Sequence, residues 1–151
     1  MEQVRTFIAR TADGWLDVEP REYKREGDFD GVTRHTIVTG ATMQVRHFEV
    51  APGGYTSLER HEHEHYVVIS RGKGTVIVGS EAFAARTGDV IYVPANAAHQ
   101  FLADEQAEEP LGFYCIVAAE RDKPRLLEGD ELRAFEGTPA AAVARYRLPI
   151  A

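Results

Sequence analysis

Apolar and polar positions alternate in short runs from Val32 onward, and these runs are rich in β-branched and aromatic residues. Turn residues separate them at the spacing of about 8–12 residues that antiparallel sandwiches and barrels show. The pattern predicts strands over residues 32–39, 42–50, 56–61, 65–70, 74–79, 81–86, 89–93, 98–103 and 111–119. Pro52-Gly53-Gly54 is among the predicted turns, since its residues favour tight reversals of the chain. The predicted fold class is therefore all-β.

The two ends of the chain carry a less regular pattern. Val4-Arg5-Thr6-Phe7-Ile8 predicts a short strand, and the polar stretch that follows predicts irregular chain. A helix is predicted over residues 129–136, because Asp130 and Glu131 favour the N-terminal end of a helix dipole, and a further turn of helix over 140–144. We expect a single domain, made of an N-terminal strand and irregular arm (1–31), a barrel (32–120) and a C-terminal tail packed on or beside the barrel (121–151).

Composition limits the partners of such a domain. With 151 residues, of which 44% are hydrophobic, the chain is large and apolar enough to bury a core. Its formal charge of −7 is spread along the sequence without a basic block, which argues against nucleic acid as a partner. No apolar run approaches the roughly 20 residues of a membrane helix, and no signal peptide is evident, so we expect a cytoplasmic protein with a small-molecule ligand. The lone Cys115, expected as a small buried side chain, agrees with a reducing compartment.

The most distinctive stretch is Glu59-Arg60-His61-Glu62-His63-Glu64-His65. Side chains alternate between faces in an extended chain, so positions 59, 61, 63 and 65 can share one face. Three imidazoles and a carboxylate on one face predict a metal site, although a solvated, charged loop has the same appearance. His99 can deliver another imidazole from a separate strand. Such nitrogen and oxygen donors suit Zn, Mn, Fe, Ni or Cu and do not select strongly among these metals.

These two segments resemble the two sequence motifs of the cupin superfamily, the small β-barrels of the double-stranded β-helix (jelly-roll) type. Gly88, Pro94 and His99 stand at positions of the second motif, with Asn96 in place of a family glycine. Asn suits that position because it tolerates a left-handed backbone. The resemblance covers about residues 30 to 120 and is to small single-domain cupins with a type-2 conserved barrel.

The first motif is best registered from Gly72, which stands seven residues after His65. This register puts His65 at the family's Glu position, His61 at its second His and Glu59 at its first His. The resemblance then implies one divalent transition metal (Mn, Fe, Ni, Cu or Zn) held by Glu59, His61, His65 and His99. In a second register the His-x-His pair is His61-Glu62-His63, which makes His63 the alternative ligand but leaves valines where the family has Glu.

The resemblance implies a metal-dependent enzyme that acts on a small enolisable or aromatic substrate. Dioxygenase-like chemistry is favoured, with isomerase, cyclase or decarboxylase chemistry and non-enzymatic ligand binding as alternatives. Glu59 would serve as a ligand or as a general base. The pocket is expected to include Met43, Tyr55, Phe101 and Phe113, with Arg46 as a candidate partner for a substrate carboxylate. A homodimer is expected, with residues 4–8 added to the edge of a partner's sheet.

Overall fold

Eleven strands are the main elements of the structure, a computed structural model that describes residues 3–24 and 27–146. In chain order they are β1 (Arg21–Glu22), β2 (Asp30–Thr39), β3 (Met43–Tyr55), β4 (Glu59–Arg60), β5 (His65–Arg71), β6 (Lys73–Val78), β7 (Glu81–Arg86), β8 (Val90–Val93), β9 (His99–Ala103), β10 (Leu111–Ala118) and β11 (Arg125–Leu126). An α-helix, α1 (Gly129–Glu136), and a short 3₁₀ helix (Pro139–Ala142) follow. The all-β prediction and the helix predicted over 129–136 are confirmed. Neither described helix is long and apolar enough to span a membrane.

The strands form one curled antiparallel sheet in which neighbours are far apart in the sequence. The main strand order is β11-β4-β9-β3-β10-β5-β8. In addition, β2 pairs with both β1 and β3, and β6 pairs with both β7 and β9. Consecutive strands such as β3 and β4 are separated in space by a strand from a later part of the chain. This interleaving is typical of a jelly roll and differs from the simple up-and-down order of a meander.

Alternate residues of the central strands line the interior of the barrel. On β10 the inward residues are Phe113, Cys115 and Val117, each at most 3% exposed. The register pairs Phe113 with Phe48 of β3 and with Ile69 of β5, and directly paired residues lie on the same face of a sheet. Successive side chains of a strand point to opposite faces of the sheet. The register between strands therefore decides which of the two sets faces the interior.

The C-terminal tail packs on the outer face of the barrel through a second apolar cluster. Its buried members are Leu58, Ile77, Leu127, Leu132, Phe135 and Ala140. The fully buried Gln100 of β9 also binds the tail, at Arg145. The Gln100 amide donates to the carbonyl groups of Thr56 and Arg145, and its oxygen accepts a hydrogen bond from the Arg145 N–H. The tail therefore contacts β9 immediately beside His99.

Pro52-Gly53-Gly54 lies within β3, so the turn predicted at these residues is wrong. Gly53 has a φ of 78°, and the pairing of β2 with β3 shifts register between Asp30 and Val32. A β-carbon on Gly54 would lie 2.5 Å from the carbonyl oxygen of Asp30, so the two strands approach each other too closely for a side chain there. The glycines carry the strand through a bulge instead of ending it.

The N-terminal arm has no strand at residues 4–8, so the short strand predicted there is wrong. Phe7 is 81% exposed, and no described strand pairs with this segment. Single backbone bridges instead join Trp15 to Arg10 and to Val18. The buried Trp15 ring lies 4.9 Å from the His47 ring on the outer face of β3. Trp15 therefore anchors the first part of the arm, and β1 joins its later part to β2.

Candidate metal centre

Three buried imidazoles meet in the interior of the barrel. His65 is the first residue of β5, His99 is the first residue of β9, and His61 directly follows β4. Their ligand nitrogens all lie within 4.8 Å of one another. Each of the three residues is at most 5% exposed. The fold thus brings together three of the residues singled out in the sequence, from the start of β5, the start of β9 and the end of β4.

Two of these imidazoles are oriented by backbone carbonyl groups. Nδ1 of His61 lies 2.6 Å from the His63 carbonyl oxygen, and Nδ1 of His99 lies 3.0 Å from that of Ala97. A carbonyl oxygen only accepts hydrogen bonds, so each Nδ1 carries the proton and each Nε2 keeps a free lone pair. Holding one ring nitrogen in this way is how proteins orient histidine as a metal ligand.

The third imidazole, His65, leaves a buried nitrogen without a partner. Its Nδ1 lies 3.0 Å from the sulfur of Cys115. Its Nε2 is buried and has no hydrogen-bond partner among the described residues. An unpaired buried polar atom is costly, and a bound cation would satisfy it. Three convergent Nε2 atoms therefore fit a divalent transition metal, whose preferred ligands include neutral imidazole.

The protonation state of the cluster suits metal binding. Burial, and then the neighbouring His99, lower the pKa of His61 to about 4. The same two causes lower the pKa of His65, and burial lowers that of His99. The three rings are thus neutral at pH 7, the form in which imidazole binds a metal.

Glu59 lies beside the three imidazoles and is held as a carboxylate. Its Oε2 accepts a hydrogen bond of 2.7 Å from Ser57 and pairs with the Lys24 ammonium. Its Oε1 lies 3.9 Å from Nε2 of His99. Burial alone would raise the pKa of Glu59, but Lys24, His99 and Ser57 together hold it below its usual value. The structure therefore presents one carboxylate oxygen, Oε1, towards the imidazoles.

His63 lies outside the cluster of ligand nitrogens. Its ring stacks on that of His61 with 3.6 Å between centroids and an interplanar angle of 2°. Its Nδ1 is 2.7 Å from the Asp122 carboxylate, which also accepts the backbone N–H groups of Glu62 and His63. Burial pushes the pKa of Asp122 upward, but these hydrogen bonds bring it to about 2. Asp122 thus fixes the turn that carries His61, a role with no signal in the sequence.

A cavity of about 180 Å³ opens from the imidazoles. Its walls combine aromatic and cationic side chains, namely Tyr23, Phe48, Phe101, Phe113, Lys24, Arg34, Arg46 and Arg121, together with Cys115. Tyr55 and Met43, which were expected in this pocket, lie elsewhere. Tyr55 pairs with Leu102, whose side chain packs against the outer cluster, and its hydroxyl donates to Asp28 at 2.7 Å. Arg46 and Phe48 of β3 face the interior, so Met43 and Tyr55, at odd positions, lie on the opposite face of the strand, and Met43 is 45% exposed.

A buried histidine cluster inside an interleaved β-barrel places the protein in a known class. The chain belongs to the cupin superfamily, and the family model described as a cupin domain matches residues 46–117. Over 132 residues it is 42% identical to the 1-methylthio-D-xylulose 5-phosphate methylsulfurylase of Rhodospirillum rubrum. That alignment covers 85% of this chain and 83% of the relative.

Solved structures confirm the predicted jelly-roll barrel. A cupin-2 domain protein from Rhodospirillum rubrum is 39% identical and superimposes with a TM-score of 0.79, over 91% of this chain and 95% of the other. A cupin 2 conserved barrel protein from Rhodopseudomonas palustris is 35% identical, with a TM-score of 0.81 over 91% and 97% of the two chains. A polyketide cyclase from Streptomyces resistomycificus shares the fold at 21% identity.

Proposed function

We propose that the protein is a metal-dependent enzyme that breaks the carbon–sulfur bond of a methylthio-substituted ketose phosphate such as 1-methylthio-D-xylulose 5-phosphate. The observation that carries this proposal is the convergence of the His61, His65 and His99 nitrogens on a cavity walled by cationic side chains. The name of the relative with 42% identity over most of both chains supports the substrate. It favours carbon–sulfur cleavage over the oxygen insertion that the sequence motifs suggested.

The chemistry of such a substrate suits this site. The methylthio group is on C1, next to the ketone carbon C2. When a thiol nucleophile takes the methylthio sulfur as a disulfide, the electron pair of the broken bond stays on C1 and its charge spreads to the ketone oxygen; a proton then replaces sulfur at C1. A divalent metal held by His61, His65 and His99 would supply a Lewis acid for that oxygen.

We assign Glu59 the proton-transfer role. Lys24 and Ser57 occupy Oε2, which leaves Oε1 to accept or return a proton inside the cavity. Lys24, the first of the groups that keep the pKa of Glu59 low, holds it ionised between turnovers. The fixed position of Glu59 would let Oε1 take the proton of the attacking thiol and return it to C1. This assignment makes Glu59 a catalytic residue and leaves the three imidazoles as the ligands.

The direct test uses purified protein reconstituted separately with Mn, Fe, Co, Ni or Zn. 1-Methylthio-D-xylulose 5-phosphate and a small thiol are added, and proton NMR follows the S-methyl signal and the appearance of a new methyl group at C1. We expect the S-methyl signal to shift with at least one metal, and His65→Ala to abolish the change. An unaltered substrate with every metal would overturn the proposed function.

We also propose a homodimer, supported by the edge of the sheet at β8. Among the described strands, β8 pairs with β5 alone, and it exposes Val90 at 68% and Tyr92 at 48%. An unpaired edge with apolar side chains can accept a second chain. Light scattering of the purified protein should give twice the mass of one chain, and the mass of a single chain would rule the dimer out.

A further inference from the structure

Three guanidinium groups line the cavity. Arg34 is on β2 and Arg46 is on β3, while Arg121 follows β10. The register pairs Arg34 with Phe48, a buried inward residue, and pairs Arg46 with Cys115, another inward residue. Since paired residues share a face of the sheet, both arginine side chains start from the interior face. Their position is therefore set by the barrel and not by a mobile loop.

The charge on these three arginines is not neutralised within the described residues. The contacts of carboxylates in the described chain use other groups, namely the cations Lys24, Arg60, Arg71, Lys73, Arg125 and Arg133 and the imidazoles of His63 and His99. Nε of Arg34 and Nε of Arg46 are buried with no described hydrogen-bond partner. Arg46 has one hydrogen bond among the described residues, from Nη2 to the Cys115 sulfur at 3.3 Å, and its guanidinium lies 5.0 Å from the centre of the Phe48 ring. Buried donors on a cation are costly when unpaired, so this wall is suited to receiving an anion.

The arginines are close enough to repel one another. Burial lowers the pKa of Arg34, and the Arg46 charge lowers it further. Burial also lowers the pKa of Arg121, with Arg46 and Arg34 acting in the same direction. Arg121 is held in place by the Gln44 side chain, at 3.0 Å, and by the Ala118 carbonyl. Arginine stays protonated in proteins, so the cluster keeps its positive charge although the whole chain carries −7.

We propose that Arg34, Arg46 and Arg121 form the binding site for the phosphate group of the substrate. A phosphate monoester carries close to two negative charges and three acceptor oxygens, and guanidinium forks match that geometry. A carboxylate would leave most of the positive charge unbalanced. The identity of the substrate rests on the proposed function, while the anion site rests on the arginines themselves.

The arrangement places phosphate and reacting carbon at opposite ends of one substrate. Arg46 contacts the sulfur of Cys115, and that sulfur contacts the ring of His65. The arginine wall is thus joined to the imidazoles through a single side chain. In a 1-methylthio-ketose 5-phosphate, C3, C4 and C5 separate the ketone from the phosphate ester. Anchoring the phosphate would therefore set which carbon lies beside the imidazoles, which is how binding of a remote group assists a reaction.

The test is calorimetric titration of inorganic phosphate into the metal-loaded protein and its variants. We expect Arg34→Gln and Arg46→Gln each to weaken phosphate binding by about ten- to hundredfold, since each removes a charged hydrogen-bond donor. Arg133→Gln, on the exposed face of α1, is the matched control and should bind as the parent does. Circular dichroism and metal content verify that each variant is folded and loaded, and Arg46→Lys, which retains the charge, should recover part of the affinity.

Two results would overturn the phosphate site. One is the absence of phosphate binding by the parent protein, and the other is unchanged binding by Arg34→Gln and Arg46→Gln, which would assign phosphate to the metal alone. Because inorganic phosphate is not turned over, this outcome is separate from the failure of the proposed function. A protein that binds phosphate through its arginines but leaves the methylthio sugar intact would retain the anion site and refute the reaction. With turnover, the same variants should raise KM for the phosphorylated substrate by about tenfold or more.

Discussion

The sulfur of Cys115 lies 3.0 Å from Nδ1 of His65 and holds the ring whose other nitrogen points into the metal centre. Burial raises the pKa of the Cys115 thiol, so it remains uncharged at pH 7. If Nε2 of His65 binds a metal, Nδ1 carries the proton and donates a hydrogen bond to the Cys115 sulfur. The lone cysteine is therefore a positioning residue for a ligand as well as a small buried side chain.

Replacing Cys115 should accordingly weaken metal binding. We expect Cys115→Ala to reduce the metal affinity by about ten- to hundredfold, the usual effect of removing the group that orients a ligating histidine. Cys115→Ser keeps an acceptor and should stay close to the parent protein. Competition with a chelator of known affinity measures both variants. Equal affinities for the alanine variant and the parent would show that the thiol does not position His65.

The two histidines at positions 61 and 63 should differ sharply in their effect on metal content. His61→Ala removes one of the three convergent nitrogens, so most of the bound metal should be lost. His63→Ala removes a stacked ring that pairs with Asp122, so metal should remain stoichiometric with affinity lowered by at most about tenfold. Elemental analysis after dialysis compares them. Loss of metal from His63→Ala with retention in His61→Ala would mean that the ligand register is reversed.

Glu59→Gln separates the role of ligand from that of base. Because Oε2 is already engaged by Lys24 and Ser57, we expect this variant to retain its metal. Turnover should fall by about a hundredfold or more, the usual contribution of general acid–base catalysis. The matched measurements are metal content and kcat on the same preparation. If metal and activity disappear together, Glu59 is a ligand.

His47, away from the metal centre, should add a pH dependence to stability. Burial, followed by the charge of Arg10, lowers its pKa to about 4. In the unfolded chain histidine titrates near 6.5, so between about pH 6.5 and pH 4 the unfolded state binds more protons. The free energy of unfolding should therefore fall as the pH drops through this window, and His47 should have no influence above it.

The measurement is denaturant unfolding followed by the fluorescence of Trp15, the only tryptophan of the chain, which packs on His47. His47→Gln should show a shallower loss of stability between about pH 6.5 and pH 4 than the parent protein. His63→Gln serves as a comparison because it also removes one histidine. Identical pH slopes for the parent and His47→Gln would contradict this prediction.

Gly54→Ala should destabilise the barrel by about 1–3 kcal/mol, the typical cost of forcing atoms into occupied space. The added β-carbon would meet the Asp30 carbonyl oxygen at 2.5 Å, where backbone has little freedom to move. Gly40→Ala is the control, since its nearest neighbour would be at 3.5 Å, and its effect should be within about 0.5 kcal/mol. Urea unfolding compares the two, and equal midpoints would show that β2 and β3 can separate at the bulge.

Much of this architecture could be predicted because it depends on local pattern. Alternation of apolar positions marks the strands, and the helix over 129–136 carries its acidic residues in the first turn. His61 and His65 stood out through the alternation of Glu and His, and His99 through its place in the second cupin-like motif. Such features can be predicted from local residue types and from the alternation of side chains along a strand.

The remainder depends on contacts between distant parts of the chain. Tyr55 faces outward because the pairing of β3 with β10 turns the even positions of β3, such as Phe48, towards the interior. Asp122 matters only because the tail returns to the turn at His63. Arg34 and Arg121 carry no distinguishing signal in the sequence, because the fold alone places them with Arg46 on the cavity wall. No period in the sequence encodes which strand lies next to which.

The hydrogen bonds of Gln100 tie the C-terminal tail to the strand that begins with His99. If the tail left the barrel, the buried side-chain amide of Gln100 would lose its hydrogen bonds to Arg145. Docking of the tail and the position of His99 should therefore change together. Metal binding and the accessibility of the tail to proteases are then thermodynamically linked, each favouring the other. An affinity tag fused after the tail would change metal affinity if it disturbed the docking of the tail. A tag at the N-terminus is therefore the safer choice for metal titrations.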